Sequence, residues 1–229
     1  MKKQILVLDI GGSNVKAMIS RRRRRKFKSG PKLTPREMVA QTKKEVQGWK
    51  FDAISIGFPA PVRDGRIIEE PKHLGKGWVR FNFEKAFGKP VRIVNDAAMQ
   101  ALGSYRGGRM LFLGLGTGLG STLVLRDMVL ALELGDLPYR DDRIIEDFLG
   151  KPGMAELGEK EWERQVRLAV AQLKKAFIAD YVVLGGGNVK KLRELPESVE
   201  LGHNRNAFLG GVRLWQVDPR TRRPRWKIV

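Results

Sequence analysis

Arg92-Ile93-Val94-Asn95-Asp96-Ala97-Ala98-Met99-Gln100-Ala101-Leu102-Gly103-Ser104 joins an apolar strand, begun at Val91, to a helix. Asp96 falls at the helix N-terminus, where backbone N–H groups and the helix dipole favour an ionised carboxylate. A carboxylate there, with the Asn95 amide beside it, suits holding a hydroxyl and accepting its proton. Two glycine-rich turns, Gly11-Gly12-Ser13 and Gly116-Thr117-Gly118, lie on either side of this junction in the sequence.

The chain has 229 residues, room for one large domain or two small ones around a sizeable core. Apolar residues make up 42%, enough to fold, and no run approaches the roughly 18 apolar residues of a membrane span. The first residues enter a strand without a signal-peptide pattern, so a cytoplasmic protein is expected. There are no cysteines, which excludes disulfides and thiolate metal sites. Lys and Arg number 44 against 25 Asp and Glu, a net charge of +19. Such a surface attracts polyanions, and nucleic acid, anionic membrane and inorganic polyphosphate all qualify on charge alone. A soluble protein of merely high pI is the plain alternative.

Residues 4–10 read as a buried strand, Gly11–Asn14 as a turn, and Val15–Ser20 as the returning strand. Arg21–Lys28 holds a turn and a third, very basic strand. Thr34-Pro35-Arg36-Glu37 is a capping box with proline at the first helical position, and Met38, Thr42 and Val46 repeat at helical spacing to about Gly48. Phe51–Gly57 is another strand. Residues 58–88 read as irregular, with a hairpin signal at Asp64-Gly65. Strand 90–94 and helix 96–104 follow. Met110–Leu115 and Leu119–Leu125 are strands, and 127–150 reads as loop-rich. Trp162, Val166, Val170, Leu173 and Phe177 line one face of a helix starting near Lys160. Tyr181–Leu184 is a strand, Gly185-Gly186-Gly187 a turn before a short helix, and Asn206–Trp215 is helical ahead of a basic, extended tail. The alternation implies two α/β lobes, residues 1–104 and 105–229, without a fixed-period repeat.

The glycines of Gly114-Leu115-Gly116-Thr117-Gly118-Leu119-Gly120 imitate a dinucleotide fingerprint, but that fingerprint opens a helix and here a strand follows. Gly11-Gly12-Ser13 is likewise followed by a strand, and the P-loop pattern is absent. Two glycine hairpins can still cradle phosphate, because the backbone approaches closely and points N–H groups at anionic oxygens. Each alone reads as an ordinary tight turn. With Asp9 before one and Asn95-Asp96 between them, phosphate binding becomes the better reading.

In order along the chain, five segments resemble the sugar-kinase branch of the actin-like ATPases, and within it the ROK family, nearest its polyphosphate/ATP glucokinases. They are Leu8–Lys16, Gly57-Phe58-Pro59 with Leu74–Trp78, Val94–Ala98, Leu115–Ser121 and Val183–Asn188. The resemblance implies two actin-like (ribonuclease-H-like) α/β lobes with a substrate cleft between them, whose closure excludes water. It implies phosphoryl transfer from ATP or polyphosphate to the 6-hydroxyl of a hexose, glucose first. Asp96 would be the base; Asn95, Glu133 and Glu146, with Asp136 at the same site, would meet sugar hydroxyls. Gly11, Gly12, Ser13, Lys16, Gly116, Thr117 and Gly118 would hold donor phosphates, Gly185, Gly186 and Gly187 the adenosine side. Asp9 would position Mg²⁺, mostly through water. A homodimer is expected by the same resemblance.

The family's Glu-x-Gly-His is here Glu133-Leu134-Gly135-Asp136, and an ionised Asp accepts from hydroxyls without donating. That opens two further readings: a kinase for mannose or fructose, or a sugar-binding or regulatory relative with weak catalysis. The family's zinc-binding cysteines are missing, as in the polyphosphate glucokinases, and no nucleic-acid motif is present. The Arg21–Arg25 run is open between edge-strand protection, polyphosphate tracking and nucleic acid. His73 and His203 read as solvated, and Glu161 and Glu163 as lying on a solvated helix face.

Overall fold

The structure, a computed structural model, describes residues 3–20, 22–203 and 205–229. Arg21, the first member of the basic run, lies outside the described residues. The chain divides into two compact α/β units, Met1–Gly103 with Arg205–Val229, and Ser104–Asn204.

The first unit is built from β1 (Ile5–Ile10), β2 (Asn14–Met18), β3 (Arg24–Lys28), α1 (Pro35–Glu45), β4 (Ala53–Phe58), the hairpin β5 (Val62–Arg63) and β6 (Arg66–Ile67), α2 (Phe83–Phe87), β7 (Val91–Asn95) and α3 (Asp96–Ser104). Its sheet has the order β3-β2-β1-β4-β7. The first three strands form an antiparallel meander, and β4 and β7 run parallel to β1. Every residue of β1 is buried, which is why its sequence is continuously apolar rather than alternating. Leu6, Leu8 and Ile10 join Met38, Val39, Trp78 and Phe83 in one core. The capping box forms as read: the Glu37 N–H donates to Thr34 Oγ1 at 3.3 Å, and the Thr34 N–H to Glu37 Oε2 at 2.9 Å. Residues 58–88 are more ordered than their composition implied. Asp64 and Gly65 take positive φ in the β5–β6 turn, and α2 is capped by Asn82 and closed by Gly88 at φ 67°.

The second unit contains β8 (Arg109–Leu115), β9 (Leu119–Leu125), β10 (Met128–Leu132), β11 (Pro138–Arg140), β12 (Arg143–Ile144), α4 (Ile145–Leu149), α5 (Lys151–Ala176), β13 (Tyr181–Gly185) and β14 (Val199–Leu201). Within this unit the strands lie in the order β14-β13-β8-β9-β10. Again an antiparallel meander (β8, β9, β10) is extended by two parallel strands. The two units therefore share one strand order and one pattern of direction, although the sequence shows no repeat.

Two readings are corrected here. Residues 127–150 are not loop-rich: they hold β10, a 3-10 turn at Leu134–Asp136, the β11–β12 hairpin and α4, elements too short for periodicity to reveal. The long helix runs from just after Gly158, as read, and a further helical stretch from Lys151 precedes it across a break at Gly158 (φ 74°, ψ 159°). Glu163 is buried, not solvated: its carboxylate accepts from the backbone N–H groups of Arg193 (2.9 Å) and Glu194 (3.1 Å).

The segment Arg205–Val229, expected in the second lobe, groups with the first unit. Its helix α6 (Asn206–Arg213) presents glycines to β1 and α3. A Cβ on Gly210 would stand 1.7 Å from the Met99 carbonyl oxygen, and one on Gly211 2.6 Å from Val7 Cγ1, so only glycine permits this approach. The buried hydroxyl of Ser55 donates to Gly211 O (2.6 Å) and accepts from Trp215 Nε1 (2.9 Å). Among the described residues no helix is long and apolar enough to cross a membrane.

Candidate active site

In the first unit the register of the sheet gathers the candidate residues at one end. Asp9 of β1 lies opposite Gly57 of β4, and Phe58 lies opposite Asn95 of β7. These are the carboxyl ends of parallel strands, the usual ligand-binding edge of such a sheet. With strands about 4.8 Å apart, the ends of β1 and β7 stand roughly 10 Å from one another. Asp9 is 7% exposed and pairs with Lys16 Nζ at 2.9 Å, its cross-strand partner on β2. The turn between them is closed by Gly11 N–H to Asn14 O at 2.9 Å. Ser29, the residue after β3, braces it, with Oγ donating to Gly11 O (2.5 Å) and N–H to Ser13 O (3.1 Å).

Asp96 begins α3, as its sequence indicates. The amide beside it has a second task. Asn95 Oδ1 accepts from Ala97 N–H (2.9 Å) and Ala98 N–H (3.2 Å), so Asn95 caps the helix and orients its first turn. Asp96 Oδ1 accepts from Ala97 N–H at 2.7 Å. A Cβ on Gly57 would stand 2.4 Å from Met99 Cε, the flexible end of an α3 side chain, and at an ordinary 3.4 Å from Asp96 Cα, so β4 passes close by the start of α3.

Two residues that the sequence left unassigned support this end of the unit. Glu70 accepts from the backbone N–H groups of Trp78 (3.1 Å) and Val79 (3.2 Å), while Trp78 Nε1 donates to Gly75 O (2.6 Å). These bonds fix the Leu74–Trp78 loop. The exposed side chain of His73 lies beside the first glycine turn, its Cβ 3.1 Å from where a Gly12 Cβ would sit. No motif spacing links His73 to Gly12, so only the fold brings them together. A cavity of about 960 Å³ in this unit lies instead along β7, among Ile67, Trp78, Phe81, Arg92 and Trp226, and none of Asp9, Asn95 or Asp96 lines it.

In the second unit the glycine motifs converge. The β8–β9 turn is closed by Gly116 N–H to Gly118 O (3.0 Å), and Lys151 N–H, at the start of α5, donates to Thr117 O (3.1 Å). Gly185 of β13 lies opposite Gly114 of β8, and Asn188 Nδ2 reaches over to Gly116 O at 2.8 Å. The Gly116–Gly118 and Gly185–Gly187 turns are thus neighbours. Glu146 Oε2 accepts from Leu119 N–H at 2.8 Å, and a Cβ on Gly118 would stand 2.2 Å from that same oxygen. A Cβ on Gly135 would stand 3.2 Å from it, so the Glu133–Asp136 turn closes over the same carboxylate. Ser121 Oγ ties that turn to β9, donating to Leu132 O (2.7 Å) and accepting from Leu134 N–H (3.0 Å).

A family model described as ROK family matches residues 5–131, more than half of the chain. This chain belongs to the ROK family. Over 131 residues it is 27% identical to a glucokinase of Pyrobaculum calidifontis, a match covering 55% of this chain and 40% of that protein. This ROK chain superposes with a TM-score of 0.78 on the inorganic polyphosphate/ATP-glucomannokinase of Arthrobacter sp. strain KM, at 19% identity, covering 92% of this chain and 97% of that one. A ROK family glucokinase from Streptomyces griseus, solved with glucose and AMPPNP, gives a TM-score of 0.72 at 17% identity, covering 90% and 97%. At these identities the two structures speak to the fold.

Among the described residues of this ROK chain, no three His, Asp or Glu side chains cluster as a metal site. Magnesium characteristically keeps several waters and takes one or two carboxylates with substrate phosphates. A single buried carboxylate, Asp9, beside a turn of backbone N–H groups fits that habit.

Proposed function

We propose that this ROK protein is a sugar kinase, transferring the terminal phosphoryl group of ATP or inorganic polyphosphate to the 6-hydroxyl of a hexose, most simply glucose. The observation that carries the reading is Asp96 at the N-terminus of α3, on the sheet end that also holds Asp9 and the first glycine turn. In this reading Asp96 accepts the hydroxyl proton as the sugar oxygen bonds to phosphorus. The bridging P–O bond breaks, and the shortened polyphosphate or ADP leaves. Asn95 holds the first turn of α3 in place, keeping the Asp96 carboxylate aimed. Glu133, Asp136 and Glu146 receive sugar hydroxyls, with one Glu146 oxygen already engaged by Leu119 N–H.

Gly11, Gly12, Ser13 and Lys16 hold phosphate in one unit. Gly116, Thr117 and Gly118 do so in the other, with Gly185–Gly187 beside them for the nucleoside of ATP. Asp9 would hold Mg²⁺, which when bound would neutralise charge on the donor phosphates. Positioning and electrostatics of this kind carry most of the catalysis of phosphoryl transfer.

The test is a coupled assay for hexose 6-phosphate with Mg²⁺, glucose, and either ATP or long-chain polyphosphate. Product with either donor supports the reading, and the donor that works assigns the preference. Absence of product with glucose, mannose and fructose alike overturns it. The second reading, a sugar-binding protein without turnover, rests on Asp136 in place of a hydrogen-bond donor. It gains only if sugar binds while no hexose is phosphorylated.

A further inference from the structure

The strongest concentration of unused charge lies on β3, at the edge of the first unit's sheet. Arg24, Lys26 and Lys28 alternate with Arg25 and the buried Phe27, so the three point to one face of the strand. Their partners on β2 are Met18, Lys16 and Asn14. Lys26 therefore stands in register with Lys16, which pairs with Asp9. At its other end β3 runs directly into the first glycine turn, through Lys28 opposite Asn14 and the two hydrogen bonds of Ser29. Among the described residues no carboxylate pairs with Arg24, Lys26 or Lys28. Arg23 is otherwise occupied, its guanidinium 5.0 Å from the Trp49 ring centroid.

We propose that Lys28, Lys26 and Arg24 form a track for the distal phosphates of a polyphosphate donor whose reacting end lies at the Gly11–Ser13 turn. The proposal rests on the kinase reading above and adds to it a second, extended subsite. The cations are spaced about 6.7 Å apart along the strand, so the ladder carries roughly 13 Å of chain away from the turn. A linear polyanion can follow a straight edge strand, and each cation it meets releases bound counterions. Protection of the edge against other strands needs charge anywhere on β3. It does not require one face, nor continuity with a phosphate turn. Nucleic acid would also need bases to be accommodated, and no aromatic side chain stands on this face of β3.

The experiment is fluorescence anisotropy of end-labelled long-chain polyphosphate, titrated with the full chain. The variant Arg24→Gln/Lys26→Gln/Lys28→Gln is compared with Lys43→Gln/Lys44→Gln/Lys50→Gln, which removes the same charge from the exposed surface at and beyond α1. The ladder variant is expected to lose about tenfold or more in affinity, and the control less than about twofold. For tripolyphosphate, too short to leave the turn, the ladder variant stays within about twofold of the parent. Equal losses in the two variants would reduce the effect to the long-range field and overturn the track, as would no loss in either. Ladder-dependent binding of labelled oligothymidine as tight as that of polyphosphate would make the face a nucleic-acid surface and also overturn it. If the triple variant aggregates, Lys26→Gln against Lys44→Gln gives the same comparison, with an expected loss of about threefold. Binding is read without turnover. Phosphorylation with ATP but no ladder-dependent binding sinks the track alone, whereas ladder-dependent binding with no hexose phosphorylated sinks the kinase.

Discussion

Asp96 and Asn95 divide between them what looked in sequence like one polar pair. Asn95 caps the helix through two backbone N–H groups, and Asp96, its Oδ1 accepting from Ala97 N–H, begins it and is the proposed base. Asp96→Asn is expected to lower kcat by about 10²–10⁴ while sugar affinity, measured by calorimetry, changes little. Near-normal turnover would remove Asp96 from the role of base. Gly118 makes a complementary test in the second unit. In Gly118→Ala the new methyl would meet Glu146 Oε2 at 2.2 Å. The flexible Glu side chain can swing aside, so the fold survives, but its bond to Leu119 N–H is lost. KM values for donor and sugar should both rise with little change in thermal midpoint. A large drop in midpoint with unchanged KM would make Gly118 a packing residue only. Asp9, Asp96 and both glycine turns were visible in sequence because each is a contiguous motif. Glu70, Ser29 and His73 were not, because their partners lie 8, 18 and 61 positions away and only the fold brings them together.

At the level of elements, α5 depends on a carboxylate that sequence alone places on the wrong side of the helix. Hydrogen bonds from the backbone of Glu194 and then of Arg193 hold the Glu163 carboxyl below its ordinary range, against the opposing effect of burial. A carboxyl whose folded pKa lies below its unfolded value of about 4.3 stabilises the fold above that value. The contribution fades as pH falls through the folded pKa. Glu163→Gln should therefore be less stable than the parent at neutral pH, with the gap closing in denaturant titrations below about pH 4. A gap independent of pH would mean that shape rather than charge is what Glu163 supplies. The strand–turn–strand of β1 and β2, the capping box of α1 and the β7–α3 junction were legible because local chemistry and tertiary role agree. Residues 127–150 were not: five short elements in succession each fall below the length at which a period can be counted. Gly158 concealed the first turns of α5 in the same way, its φ of 74° interrupting the stripe that Trp162 continues.

For the whole molecule, the net charge of +19 acts at long range on any anionic donor and leaves a neutral sugar untouched. Raising ionic strength from about 0.01 to 0.15 M shortens the Debye length from about 30 to 8 Å. KM for polyphosphate should climb several-fold over that range while KM for sugar stays level. A parallel rise in both would point to a salt effect on the fold. Two α/β lobes could be read from the alternation of elements, but their shared strand order could not, since it resides in pairing rather than in residues. The sequence also could not reveal that Arg205–Val229 rejoins the first unit, because α6 is recruited by small side chains, not by a motif. That return imposes an order on biosynthesis. Domains commonly fold one after another as the ribosome delivers them. Here the inserted unit, Ser104–Asn204, is fully delivered first. Val7 and Ser55, made before the inserted unit, must wait for Gly211 and Trp215, made after it, before their strands are covered. Until translation has passed α6, the face of the nascent sheet that bears Val7 and Ser55 stays open to solvent.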